Sequence, residues 1–177
     1  MHQIDEVRKV SPHTVLEVGV GSSFVSRYLQ NYYNLTTLDI SNDVGPDCVG
    51  SVTHFPFKDN TFDVVLCCEV LEHLPFSDFE AALSELKRIA KRRVIMSLPD
   101  KRPFFPVQFP IIGRIKIPYF FFHQPEHIFD GQHHWEINAR GTELKKILET
   151  IENMNFAVID TYQVFENYKH RFFMLEK

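Results

Sequence analysis

The sequence predicts an α/β fold: a single-domain, Rossmann-like doubly wound sheet, mostly parallel, with an antiparallel C-terminal edge hairpin. Three observations predict it. Runs that are apolar on both faces alternate with helical patterns as far as Pro99, a glycine-rich turn follows the first of those runs, and two strand-like runs close the chain. Strands without a polar face belong in parallel sheets covered by helices on both sides. With 177 residues, 44% of them hydrophobic, one core of ordinary size is expected.

Met1 to Val10 mixes charged and apolar residues too evenly for a signal peptide. "TVLEVGV" (14–20) is the first strand and Phe24 to Asn31 the helix after it. "LTTLDI" (35–40) and "FDVVLCCEV" (62–70) are the next strands, rich in Val, Leu and Ile. Phe79 to Lys91 reads as a helix with Leu83, Leu86 and Ala90 on one stripe, and Ser77 stands three residues before Glu80 as a capping box. "RVIMSLP" (93–99) completes a β-α-β-α-β order. An aromatic, proline-rich insertion at about 101–135 follows, without a clean period; long ordered loops of this kind are usually lids or binding loops. Thr142 to Asn153 then reads as a helix, and "FAVIDTYQVF" and "RFFMLEK" as a hairpin joined by "ENYKH".

A net charge of −4 offers no field for collecting phosphates, so no nucleic-acid partner is expected. Cys48, Cys67 and Cys68 neither frame a disulfide set nor spell a zinc knuckle, which points to a reducing, cytoplasmic setting. No apolar run reaches the roughly 20 residues that span a bilayer. Lys101, Arg102, Arg114 and Lys116 do flank Phe, Ile and Tyr residues, a composition that also suits contact with a membrane surface. The sequence assigns no oligomeric state.

Gly19 and Gly21 let the chain turn tightly and bring bare backbone against a ligand, and the helix start beyond them offers unpaired N–H donors. In a dinucleotide fingerprint the third glycine position must be small; here it is Phe24, which argues against a nicotinamide cofactor. Glu17 at the strand end suits a cationic amino group and would repel a pyrophosphate. Asp39, about 20 residues further on, suits a carboxylate that accepts both hydroxyls of a ribose. The plainer alternative is that Glu17 and Asp39 are strand-end polar residues and nothing more.

The segments "LEVGVGS", "LDIS", "FPFKDNTFDVVLCCEVLEHL" and "VIMSLP", in that order, resemble the class I S-adenosylmethionine-dependent methyltransferases of the "methyltransferase 11" type, from about Thr14 to Pro99. The resemblance implies S-adenosylmethionine as cofactor, with Glu17, Gly19 and Gly21 lining its methionine moiety, Asp39 binding the ribose, and Val20, Ser22, Ile40 and Glu69 as further cofactor-binding positions. Two positions depart from the pattern. Ser23 stands where a third glycine is usual, and Ser51 stands where an acid commonly meets the adenine, so Ser51 and Val52 take that edge.

Glu69, Glu72 and His73 have i, i+3, i+4 spacing, which on a helical turn would point all three one way, either for general-base work or for metal ligation. A second polar cluster, "GQHHWEI" (131–137), closes the insertion and could face the first. In ubiquinone-pathway O-methyltransferases and small-RNA ribose methyltransferases an E-x-x-E-H segment and a later His form a divalent site, and His133 matches that His by position. The candidates are therefore His73 and His133 for catalysis, and Glu72, Trp135 and Glu136 for the acceptor. A divalent metal is allowed, with the metal-free reading preferred. His134 in a wet loop and Trp135 packed on the core are the structural alternatives.

The expected function is methyl transfer from S-adenosylmethionine to a small-molecule or sugar- or lipid-linked acceptor, at oxygen in preference to nitrogen or carbon. Two competitors remain: a cofactor-binding module that has lost catalysis, and a nicotinamide-dependent oxidoreductase.

Overall fold

The computed structural model describes residues 1–102, 104–109, 113–118, 126–129 and 131–177. Helix α1 (His2–Val10) leads into strand β1 (Thr14–Val18), followed by α2 (Phe24–Leu29), β2 (Asn34–Asp39), the short β3 (Cys48–Val49) and β4 (Phe62–Cys68). Helix α3 (Phe79–Ile89) runs directly into β5 (Ala90–Pro99). A ribbon of β6 (Phe104–Phe109) and β7 (Gly113–Pro118) comes next, and then α4 (Leu144–Asn153), β8 (Ala157–Gln163) and β9 (His170–Glu176). The main sheet has the order β3-β2-β1-β4-β5-β9-β8. It is parallel from β3 to β5, and the closing hairpin is antiparallel, with β9 against β5 and β8 at the edge.

The unbroken apolar runs are explained by a sheet covered on both faces. Leu16, Val18, Val65, Cys67, Val94, Met96, Phe173 and Leu175 face a layer built from α3 and α4. Their alternates Val15, Val64, Leu66, Ile95, Phe172 and Met174 face Ile4, Val7 and Val10 of α1 and Leu29 of α2. Successive strand side chains point to opposite faces, so both alternates must be apolar. Helix α3 buries Phe79, Ala82, Leu83, Leu86 and Ile89, a spacing that keeps one stripe on the sheet.

The structure revises several local expectations. Ser77 does not cap α3: its hydroxyl donates to Asp78 Oδ1 at 3.1 Å, because a 3-10 turn over Phe76–Asp78 runs straight into the helix. Asp78 already has helical backbone there, and a cap residue needs extended backbone. Ala90 is buried as expected, but as the first residue of β5, paired with Phe62. Helix α1 carries the 3.6-residue period in Ile4, Val7 and Val10 and was not expected as an element.

Part of the insertion is regular, since β6 and β7 pair antiparallel from Phe104↔Pro118 to Phe109↔Gly113. Residues 103, 110–112, 119–125 and 130 of the expected lid, and the side chains of Arg114 and Lys116, lie outside what the structure describes. The base of the insertion is closed by Asp100, 2% exposed. Its Oδ1 accepts from the Arg102 N–H (2.9 Å) and Asn138 Nδ2 (2.7 Å), and its Oδ2 accepts from Arg171 Nε at 2.7 Å. Among the described residues no helix is long and apolar enough to cross a membrane.

Candidate active site

The carboxyl ends of β1, β2 and β4 open on a cavity of about 650 Å³. Open α/β sheets hold their ligands at this edge. The glycine turn forms one wall. Gly19 has φ 80, its N–H donates to Leu38 O at 2.8 Å, and a Cβ there would stand 2.4 Å from Val70 Cγ2. Only glycine fits that contact. Gly21 is also left-handed (φ 52), but a Cβ there would meet nothing. Ser23, at the position of the third glycine, keeps a left-handed backbone at φ 60.

Asp39 clamps this turn: its Oδ2 accepts from the Val20 N–H and its Oδ1 from the Ser41 N–H, both at 2.9 Å. Each carboxylate oxygen keeps further acceptor capacity for a ligand. Ile40 and Phe24, 76% and 61% exposed, stand at the cavity wall as uncovered apolar surface. Val20, Ser22, Ser51 and Val52 line the same cavity, and a Ser51 Oγ–Thr53 Oγ1 contact of 2.8 Å holds the turn beyond it. All ten residues proposed from the sequence for the cofactor therefore share one wall. Further lining residues were missed, among them Gln3 from α1, Val25 and Cys68. Gln3 was accessible through the period of α1; nothing in the sequence singles out the other two.

The wall carries three carboxylates, Glu17, Asp39 and Glu69, and among the described residues no lysine or arginine. Glu17 is 5% exposed, and its Oε2 has no hydrogen-bond partner among the described residues. Burial pushes its carboxyl up to about 7.

Glu69, Glu72 and His73 do not share one helical face. Only Leu71–His73 form a turn, a single 3-10 turn, and Glu69 precedes it in the left-handed region at φ 54. Glu69 thus turns away toward β5 and β9. Its N–H donates to Ser97 O (3.0 Å), its Oε1 accepts from Ser97 Oγ (2.7 Å), and its Oε2 lies 3.0 Å from His170 Nδ1. His170 went unrecognised in the sequence, where nothing links it to Glu69.

Glu72 turns the other way and is fully buried, with both carboxylate oxygens unpartnered among the described residues. Burial first, and the Glu69 charge second, push its carboxyl up to about 8. It meets two imidazoles: Glu72, His73 and His133 each offer one ligand atom within 4.8 Å of the other two. The His73 and His133 rings sit edge to face at 5.2 Å. His73 Nδ1 donates to the Gln132 carbonyl at 3.0 Å, and His133 Nδ1 lies 3.1 Å from Glu136 Oε1. Both acceptors are oxygens that cannot donate, so Nδ1 carries the proton and Nε2 is the basic nitrogen of each ring.

Glu136 also meets Lys101 Nζ at 3.4 Å, which orients it between an imidazole and an ammonium. Trp135 is 2% exposed, with its ring against Phe76 and Phe79 and its Nε1 donating to Leu74 O at 3.1 Å. This indole anchors the end of the insertion in the core and is not an open acceptor surface, which corrects its assignment. His134 is exposed beside Phe129, and its N–H donates to the Glu72 carbonyl at 2.8 Å.

Residues 16–98 match a family model described as a methyltransferase domain. An uncharacterized protein of Methanocaldococcus jannaschii is 51% identical over 43 residues, a stretch covering 24% of this chain and only 18% of that protein. Among solved structures, the 1,6-didemethyltoxoflavin-N1-methyltransferase of Burkholderia thailandensis, with bound 1,6-didemethyltoxoflavin and S-adenosylhomocysteine, superposes with a TM-score of 0.65 at 12% identity, covering 99% of this chain and 76% of that one. The magnesium protoporphyrin IX methyltransferase of Synechocystis, with bound S-adenosylhomocysteine, gives 0.61 at 18% identity over 99% and 83% of the two chains. At these identities the structural likeness speaks for the fold.

Proposed function

We propose that this chain, whose residues 16–98 match a family model described as a methyltransferase domain, transfers a methyl group from S-adenosylmethionine to a small-molecule acceptor, free or sugar- or lipid-linked, at a hydroxyl oxygen. The observation that carries this reading is the charge of the cavity: three carboxylates, one with an orphaned buried oxygen, and no lysine or arginine on the wall among the described residues. A pyrophosphate is repelled there, whereas a ligand with a cationic end satisfies Glu17. Phe24 on the wall argues the same way against a dinucleotide.

When bound, S-adenosylmethionine supplies an electrophilic sulfonium methyl. The chain's own residues bind and orient. Asp39 accepts the ribose hydroxyls, Glu17 and Glu69 face the cationic methionine end, the Gly19–Ser22 backbone lies against it, and Ser51 and Val52 meet the adenine. Alignment of this kind contributes up to about 7–11 kcal/mol in well-oriented cases. At the far end His73 and His133, with Nε2 as the basic nitrogen, take the acceptor's proton. Glu136 orients His133, and the insertion covers the acceptor.

A second reading is favoured by one observation, the unpartnered buried oxygens of Glu72 beside His73 and His133. These three residues would hold a divalent cation, with Glu136 and the Gln132 carbonyl as the outer partners that ligating imidazoles usually have. The ion would polarise an acceptor oxygen. Their nitrogen-rich set suits a transition metal better than Mg²⁺. We rank this second, because displacement at a sulfonium methyl needs alignment before it needs a Lewis acid.

Calorimetry tests the first reading. S-adenosylmethionine and S-adenosylhomocysteine should bind and NAD should not, and Asp39→Ala should weaken binding by about 1–3 kcal/mol, the loss of hydrogen bonds to a charged group. Binding of NAD alone would replace the reading with an oxidoreductase. Cofactor binding without turnover on any acceptor, with or without added metal, would favour a module that has lost catalysis.

A further inference from the structure

We propose that His170 is a positioning residue for cofactor binding: together with Ser97 it fixes the Glu69 carboxylate as an oriented negative charge on the cavity wall. The inference rests on the methyltransferase reading for the identity of the cationic ligand.

Both carboxylate oxygens of Glu69 are held from behind, and so is its backbone N–H. Ser97 on β5 engages it twice, through its carbonyl and its hydroxyl, and His170 at the start of β9 engages the remaining oxygen. The backbone at φ 54 is costly for a side chain that is not glycine, and such conformations persist only where the surroundings over-determine them. Neither Ser97 nor His170 lines the cavity, so each acts on a ligand only through Glu69. A glutamate without these contacts would have to be ordered by the ligand, with loss of rotamer freedom on binding; here that order exists beforehand.

The charge needs support as well as the geometry. Glu69 adds to the charge that disfavours ionisation of Glu72, and Glu17 stands on the same wall. A donor on Oε2 gives the Glu69 carboxylate a charge-assisted hydrogen bond beside these other acids. The charged groups that face His170 are Glu69 and Lys169; the hydrogen bond to Glu69 raises the imidazole pKa, while burial and Lys169 oppose the rise. His170 also pairs with Pro99 in the sheet, and the Lys169 carbonyl accepts from the Asp100 N–H at 2.7 Å, so the brace stands where the insertion leaves β5.

The test is calorimetry with S-adenosylhomocysteine on wild type, His170→Ala, His170→Asn, Glu69→Gln and the Glu69→Gln/His170→Ala double variant, each checked by thermal unfolding. Asparagine sets its amide nitrogen close to where Nδ1 stands and keeps the donor. His170→Ala and Glu69→Gln should each weaken binding about tenfold, the scale of one hydrogen bond to a charged group. His170→Asn should stay within about threefold of wild type, and the double variant should bind like Glu69→Gln alone. Wild-type affinity in a folded His170→Ala protein overturns the proposal. So does an additive double variant, or an asparagine variant no better than alanine. If wild type itself binds neither S-adenosylhomocysteine nor S-adenosylmethionine, the methyltransferase reading fails and takes this one with it; equal binding by all five proteins removes His170 alone.

Discussion

The glycine-turn wall of the cavity and the histidine cluster that reaches it through His73 are held by different means. Gly19, Val20, Gly21 and Asp39 are set by the register of β1 on β2, and Asp39 closes the turn through a backbone N–H. His73, His133, Glu136 and Lys101 are set by side-chain contacts between segments far apart in sequence, with Asp100 closing the base of the insertion on Arg171. A wall made of backbone depends on φ and on close approach; a cluster made of side chains depends on a few buried polar contacts. The two should therefore break under different substitutions.

The largest effect is expected on the histidine side. Asp100→Ala leaves Arg171, 13% exposed at its side chain, facing a vacated carboxylate, and strands Asn138. Breaking a buried ion pair by removing one partner costs about 3–5 kcal/mol. Denaturant unfolding should register that loss, while cofactor affinity in the folded fraction stays close to wild type. Equal losses of stability and cofactor affinity would show that the two are not independent.

Gly19→Ala comes next and acts on the glycine-turn wall. A Cβ at 2.4 Å from Val70 Cγ2 and a φ of 80 combine a clash with a disfavoured backbone, a cost of about 2–4 kcal/mol. Gly21→Ala has the φ cost and no clash, and should lose about 1–2 kcal/mol. Matched denaturation curves separate the two, and equal losses would assign the requirement at Gly19 to φ alone.

The same contrast decides what could be read before any coordinates. The glycine turn, Glu17 and Asp39 lie on consecutive strand ends, so a short stretch of sequence with a period of two carries their arrangement. All ten cofactor candidates reach the one cavity for that reason. On the other side the spacing of Glu69, Glu72 and His73 suggested a helical face, but one residue in the left-handed region sends Glu69 to His170 and Glu72 to His133. No local pattern encodes that split. Trp135 was read toward the acceptor because aromatic residues serve both cores and pockets, and only its contacts with Phe76 and Phe79 decide between them. The strand pairing of β6 and β7 was hidden by prolines, which can stand in a two-stranded ribbon because each strand has an unpaired edge.

The smallest effect expected is a pH dependence, and it returns to the glycine wall. Glu17 is held neutral up to about pH 7 by burial, whereas in the unfolded chain it ionises near its ordinary value of 4.5. Between those two values the unfolded state binds fewer protons than the folded one, so this group lowers stability as the pH rises and adds no further change above about 7. Glu72 contributes with the same sign up to about 8. Glu17→Gln keeps the shape of the neutral acid and removes the titration. The ligand-free variant should match wild type near pH 4.5 and exceed it at pH 8 by on the order of 1–2 kcal/mol, less than the full shift implies because opening to water relieves a strained charge. With saturating S-adenosylhomocysteine the ordering should reverse at pH 8, since the ligand's ammonium group compensates an ionised Glu17 and finds only an amide in the variant. Unfolding curves at the two pH values, with and without ligand, give all four comparisons. A variant that gains the same stability at both pH values would mean that Glu17 is not held neutral, and a gain that survives ligand binding would mean that the cationic end of the cofactor lies elsewhere on the wall.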